Sequence, residues 1–297
     1  ANPTETIDPW IRASRDIVEQ LKNSKSVNVN LDFSISNDAH PLFVDHAKDT
    51  ILKSAQFWGI TYLPSKTIPV AIAAPKSLDS VTTHLGKYSY LIPDWRLNQL
   101  KNLREDDMQL DVDANPSSGS VVYFVVGNST SWLTANMAKT MITHEYVHAV
   151  QVGILKTRNG LIPCWSNEGS AIFYGNSIVA ATDSSLEYLA LRNNWLKQLN
   201  FKSVLTGKSD SELLELLKRS ENDFQVCAAP LRLGYSAGSL MTELLVAEHG
   251  HKKFVNWWLQ SKDKNWKVAF KEVFGLDVDD FYSKTAIPYL QRASASL

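Results

Sequence analysis

The amino-acid sequence predicts an α+β fold, with strands and helices mixed through residues 1–155 and helices almost alone in residues 156–297. Three observations carry this. Val27-Asn-Val-Asn-Leu-Asp-Phe-Ser-Ile35 alternates apolar and polar residues, as a half-buried strand does. Val121-Val-Tyr-Phe-Val-Val126 is the longest unbroken apolar run and has the length of a buried strand. Beyond residue 164 the apolar positions recur at helical spacing, punctuated by capping patterns.

In chain order, residues 9–22 carry apolar positions at helical spacing behind Pro9, a residue suited to a first turn. After the alternating strand, the pattern predicts a helix from Pro41 to Trp58, a strand over Ile68–Ala74, and helical turns over residues 77–85 and 94–103. Residues 104–119 are acidic and end in turn formers, so they read as an exposed loop; their carboxylate spacing is not that of an EF-hand calcium loop. For the strand over residues 120–127 two roles are open: flanking the site and pairing with an extended substrate backbone, or filling the core. The next helix has Thr134 as a possible N-cap and Gly153 as a possible stop.

Residues 156–163 read as a loop into a helix that opens at Cys164-Trp-Ser-Asn-Glu-Gly169, with Ser166 or Asn167 near its N-cap. Helices follow over 184–200, 209–219, 230–249, 251–260, 263–274 and 277–292, with capping boxes at Ser184/Glu187 and Ser209/Glu212 and ends at Gly250 and Gly275. Trp257, Trp258 and Trp266 fall at helical spacing and read as core. His249 and His251 flank Gly250, where a helix end favours a cation, and read as structural. The division that results is an α/β lobe over 1–155 and a helical lobe over 156–297.

Composition excludes some functions. Thirty Lys and Arg against thirty-one Asp and Glu leave a formal net charge of -1, so no basic surplus points to nucleic acid. No apolar run has the length of a membrane span. The opening Ala1-Asn-Pro-Thr-Glu-Thr is what a secreted chain shows after loss of a signal peptide, and equally what a trimmed chain shows. Cys164 and Cys227 can close one disulfide or remain as buried thiols. Asn128-Ser-Thr130 is a glycosylation sequon, meaningful only in a eukaryotic source.

The chemistry sits in the helix after Thr134, where His144-Glu-Tyr-Val-His148 forms an HExxH pattern. A four-residue step sets both imidazoles on one helix face, close enough to share a metal ion, with Glu145 beside them as a general base. A catalytic zinc takes three protein ligands and leaves one position for water. Glu168, twenty residues after His148 and at the start of a helix able to pack antiparallel to the first, is the candidate third ligand. Glu187 is its rival, although a capping box accounts for Glu187 without a metal. Asn167, Asp183 and Glu187 are candidates for orienting the histidines from outside.

His144-Glu-Tyr-Val-His148 followed by Asn167-Glu168-Gly169-Ser-Ala171 resembles the gluzincin metallopeptidases, the clan of thermolysin and aminopeptidase N, and above all their peptidase-MA-like members. The resemblance covers residues 134–182 and extends more loosely to Leu233-Gly-Tyr-Ser-Ala-Gly238, the Glu-His-Gly250 helix end and residues 270–275; the first 120 residues carry none of it. It implies a zincin-like fold of two lobes with the active-site cleft between them, one zinc ion on His144, His148 and Glu168, and a peptide or protein substrate. It also implies an oxyanion donor from a later helix, matched by Tyr235, with Tyr174 and Tyr146 behind it.

One departure is informative. The aminopeptidase branch carries a Gly-x-Met-Glu-Asn strand motif whose glutamate holds the substrate's free amine, and Ser118-Gly-Ser-Val-Val-Tyr-Phe124 has no such glutamate. The expectation is therefore a secreted zinc endopeptidase rather than an aminopeptidase. The alternatives are a catalytically silent relative acting as a binding protein, and a zinc hydrolase of a non-peptide amide or ester.

Overall fold

The computed structural model describes residues 7–59, 62, 67–77, 83, 87, 94–115, 119–127, 132–157 and 160–297. They form a mixed α+β protein of two compact units, one of residues 24–158 and one of residues 1–23 with 159–297. No described helix is long and apolar enough to cross a membrane. The helical turns expected over 77–85 lie mostly outside the described residues, and the sequon at Asn128 lies wholly outside them.

The first unit is built on four strands, β1 (Asn30–Ile35), β2 (Thr67–Ala73), β3 (Met108–Asn115) and β4 (Gly119–Val126), in the order β1-β2-β4-β3. β1, β2 and β4 run parallel, and β3 is antiparallel to β4. Pro69, which has no N–H to give, sits opposite Asp32 of β1, one residue before the β2–β4 ladder begins at Val70. Val122 to Val126 of β4 are buried, as an interior strand flanked on both sides requires. The backbone of β4 is paired with β2 and β3, so this strand takes the core role; β1 and β3 form the sheet's edges.

β3 occupies half of the acidic stretch expected as a loop. Its alternation explains the correction: Met108, Leu110 and Val112 fall on one face, Gln109, Asp111 and Asp113 on the other. The acids are neutralised by Arg96 of the helix Asp94–Lys101, 2.5 Å from Asp111 and 3.4 Å from Asp113, and the Tyr123 hydroxyl donates to Asp113 at 2.9 Å. Asp113 is fully buried, where an unpaired carboxylate would cost several kcal/mol. Asp111 and Asp113 thus complete the fold through Arg96 and Tyr123.

Helix α1 (Pro9–Lys22) precedes this unit, and α2 (Pro41–Trp58) packs in it, with Phe43 meeting Phe124 of β4 at a 5.4 Å centroid distance. With the helix Asp94–Lys101 as α3, α4 (Ala135–Leu155) lies against α2, β3 and β4. Gly153 does not stop α4, which runs on to Leu155 and ends at Lys156 with φ 58°. Gly153 serves a close approach instead: a Cβ there would stand 1.5 Å from the Tyr62 carbonyl oxygen.

The second unit contains α5 (Cys164–Thr182), α6 (Tyr188–Gln198), α7 (Asp210–Arg219), α8 (Leu233–His249), α9 (His251–Ser261), α10 (Trp266–Phe274) and α11 (Ile287–Ala295). α1 packs here, on α5 and α8, although the division at residue 155 groups it with the sheet. The Ser209/Glu212 capping box forms. The Ser184/Glu187 box does not, because α6 starts at Tyr188 and Glu187 is itself the N-cap. α5 likewise begins earlier than expected, at Cys164 behind Pro163. Trp257 and Trp258 are fully buried; Trp257 donates to the Trp266 carbonyl at 3.1 Å and Trp258 to Ser166 Oγ at 3.1 Å.

Two buried polar clusters pin these helices. Glu243 of α8 receives the hydroxyls of Tyr188 and Tyr289, with Arg192 at 3.6 Å, and burial pushes its carboxyl up. The His251 amide donates to Asp16 of α1 at 2.6 Å, and its Nδ1 is bonded to the Tyr174 hydroxyl at 2.9 Å. Burial pushes the His251 imidazole down to about 3, so it is a neutral core residue and not the cation expected at a helix end.

The unfolded chain binds a proton at His251 below its ordinary value of 6.5, while the folded chain does not until about 3. Stability from this residue is therefore complete above 6.5 and falls as pH drops towards 3, by on the order of 1 kcal/mol per pH unit. Urea unfolding of wild type and His251→Gln between pH 7 and 4.5 should show a shallower pH dependence in the variant.

Candidate metal centre

α4 is apolar almost all round and buried along nearly its whole length, the pattern of a core helix. Thr134 caps it, its Oγ1 accepting from the Met137 amide at 3.3 Å. Ser54 of α2 donates to Thr143 at 3.4 Å, so the turn before the motif is tied to α2. In this rigid setting His144 and His148 bring their Nε2 atoms to 3.1 Å, the rings crossing at 83°. Two nitrogen lone pairs cannot face each other at that distance; a proton or a cation has to lie between them. Two zinc–nitrogen bonds of about 2.0–2.1 Å at a tetrahedral angle put their nitrogens roughly 3.3 Å apart, so the pair fits that ion.

Glu145 is buried beside them, with Oε1 4.0 Å from His144 Nε2. On the far side of His148, Nδ1 lies 2.7 Å from Gln151 Oε1. Tyr146 stands two residues from His144, about 200° round the helix, so it faces away from the pair and is core. Its ring is fully buried and burial pushes the phenol well up. Tyr174 is likewise committed to the core through its bond to His251.

Glu168 occupies the first turns of α5, half-buried, with Asn167 Nδ2 donating to its Oε1 at 3.0 Å. Tyr235 occupies the first turn of α8, also half-buried. What relates the two is the approach of their helices. A Cβ on Gly169 would stand 2.1 Å from the Gly238 carbonyl carbon, and one on Gly238 would stand 2.3 Å from the Trp165 carbonyl oxygen. Backbone meets backbone one residue after Glu168 and three after Tyr235. The disulfide Cys164–Cys227 fixes the same end, joining the first residue of α5 to the short helix Phe224–Cys227 that leads into α8. Gly234 of α8 sits directly on Cys227, where a Cβ would be 2.2 Å from its sulfur.

Among the described residues, His144, His148 and Glu168 make up a group able to hold a metal ion, each offering one ligand atom. Glu187 is exposed at the start of α6 and belongs to no such group. Asp183 closes the opposite end of α5, where it accepts from Ser185. Of the candidates for orienting partners, Asn167 therefore serves the carboxylate, and the residue on His148 is Gln151, which the sequence reading missed. Its signal was a lone polar side chain in the apolar run Ala149–Leu155, three residues after the histidine. Compared with protein-family models, curated proteins and solved structures, the chain matches none.

The disulfide and the glycine crossing give separate tests. Closing a loop of sequence separation 63 stabilises by up to about 4 kcal/mol, so the pair Cys164→Ser, Cys227→Ser should lose that much in urea unfolding, and reductant should bring wild type to the same value. Gly238→Ala forces a Cβ onto backbone, and the same measurement should show a loss of about 3 kcal/mol or more.

Proposed function

We propose that this protein is a zinc-dependent peptidase, with His144, His148 and Glu168 holding one ion, and that its fold is of the zincin type. The observation that carries the proposal is the pair of His144 and His148 Nε2 atoms held 3.1 Å apart on a buried helix with Glu145 at their side. The donor set of two imidazoles and a carboxylate is one that catalytic zinc uses. When bound, zinc lowers the pKa of water and polarises a carbonyl.

The chain's own residues would do the rest. Glu145 takes a proton from the attacking water and hands it to the departing amine, which its buried position next to His144 suits. Tyr235 donates its hydroxyl to the oxyanion that develops on the substrate carbonyl. Asn167 steadies the Glu168 carboxylate through the 3.0 Å hydrogen bond. An internal peptide bond is the preferred target, because no glutamate in residues 118–124 would hold a free amine. A protein substrate outside the cell agrees with the closed disulfide, since such bonds persist in oxidising compartments.

The test is a digest of amine-blocked peptides with parallel zinc analysis. Wild type should bind one zinc per chain, cleave the blocked peptides, lose activity to a chelator and regain it with zinc. Glu145→Gln should keep the metal and lose about 10²–10⁴ in kcat. Tyr235→Phe should lose on the order of 10² in kcat with metal content unchanged. A wild-type protein that binds zinc and cleaves no amide would overturn the peptidase assignment.

A further inference from the structure

The structure assigns a task to Gln151: we propose that it is the positioning residue that fixes which nitrogen of His148 faces the metal. Gln151 is 2% exposed and sits one turn beyond His148 on α4, with its Oε1 2.7 Å from His148 Nδ1. An amide oxygen can only accept, so Nδ1 must carry the hydrogen and Nε2 is left with its lone pair. That nitrogen lies 3.1 Å from His144 Nε2, close enough for both to bond one ion. Without the amide, the neutral imidazole can place its proton on either nitrogen, and the form protonated on Nε2 binds no metal there.

The choice of residue matters as well as its position. Zinc histidines commonly give their second N–H to a carboxylate, a backbone carbonyl or water. A glutamine makes the same bond without adding a negative charge to a buried site that already holds Glu145. The site then keeps more of the metal's positive charge for the substrate carbonyl and the attacking water. The inference rests on the proposed metal centre, but it reads a bond inside a single helix and is testable in the metal-free chain.

Three proteins are compared: wild type, Gln151→Met, which keeps length and volume, and Gln151→Glu, which keeps the acceptor. Nitrogen NMR of the imidazoles in metal-free protein near pH 8 reports the tautomer directly. His148 should be protonated on Nδ1 in wild type and in Gln151→Glu, and should become a mixture in Gln151→Met. Zinc affinity by chelator competition should fall 10–100-fold in Gln151→Met and be restored or exceeded in Gln151→Glu. The visible spectrum of the cobalt-loaded protein should change in Gln151→Met. A wild-type His148 protonated on Nε2, or a Gln151→Met protein with wild-type tautomer, affinity and spectrum, would overturn the assignment. Failure of wild type to bind zinc while His148 shows the Nδ1 tautomer would remove the metal centre and leave the bond to Gln151 standing.

Discussion

Everything proposed for this protein depends on one constraint: two imidazole nitrogens are held 3.1 Å apart by a helix that cannot move them. The helix supplies the spacing, because residues four apart overlie each other. The fold supplies the rigidity, because α4 is buried against α2, β3 and β4 and capped at Thr134. In water two such side chains would repel or rotate away. Their conformational freedom has been removed in advance by packing, so a bound ion would meet ligands that need little further ordering.

In the helical unit the corresponding constraint is steric. Gly169 and Gly238 let α5 and α8 touch backbone to backbone, a contact that any Cβ would break. Glu168 and Tyr235 are each within three residues of that contact, so their separation is set by main chain rather than by side-chain packing. The disulfide and Gly234 reinforce the same end of the two helices. Asn167-Glu-Gly and Gly-Tyr-Ser-Ala-Gly are therefore each a side chain of the proposed site joined to the glycine at the helix contact.

Local patterns made much of this legible. Pro41–Trp58 and residues 9–22 are helices with the bounds their periodicity predicts, and Ser209 with Glu212 forms its box. These features depend on neighbours in sequence alone. β3 was hidden because its acids suggested solvent, whereas their neutralisation comes from Arg96, a partner that strand periodicity cannot reveal. Gly153 was read as a stop because glycine ends helices, while its actual role depends on the approach of Tyr62 some ninety residues earlier. Ser184 and Glu187 have the letters of a capping box, but α6 starts too late to use them. The motif histidines were visible because their relation is local to one helix, and Gln151 was visible for the same reason, had polarity in an apolar run been weighed.

Buried ionisable groups occur throughout this protein, and what separates the proposed centre from the rest is the kind of partner each has found. Asp113 meets Arg96 and a phenol; Glu243 meets two phenols and Arg192; His251 meets a phenol while its amide meets Asp16. In each, a donor faces an acceptor or a cation faces an anion, so the fold itself accounts for the arrangement. At His144 and His148 two ring nitrogens face each other: one imidazole can donate its N–H across the 3.1 Å gap, or both lone pairs can converge on an ion. A proton satisfies the pair as an ordinary hydrogen bond; the proposed ion would replace that proton and take Glu168 as its third ligand. An electron-pair acceptor between them makes the arrangement useful, and the neutral amide on His148 holds that lone pair in place.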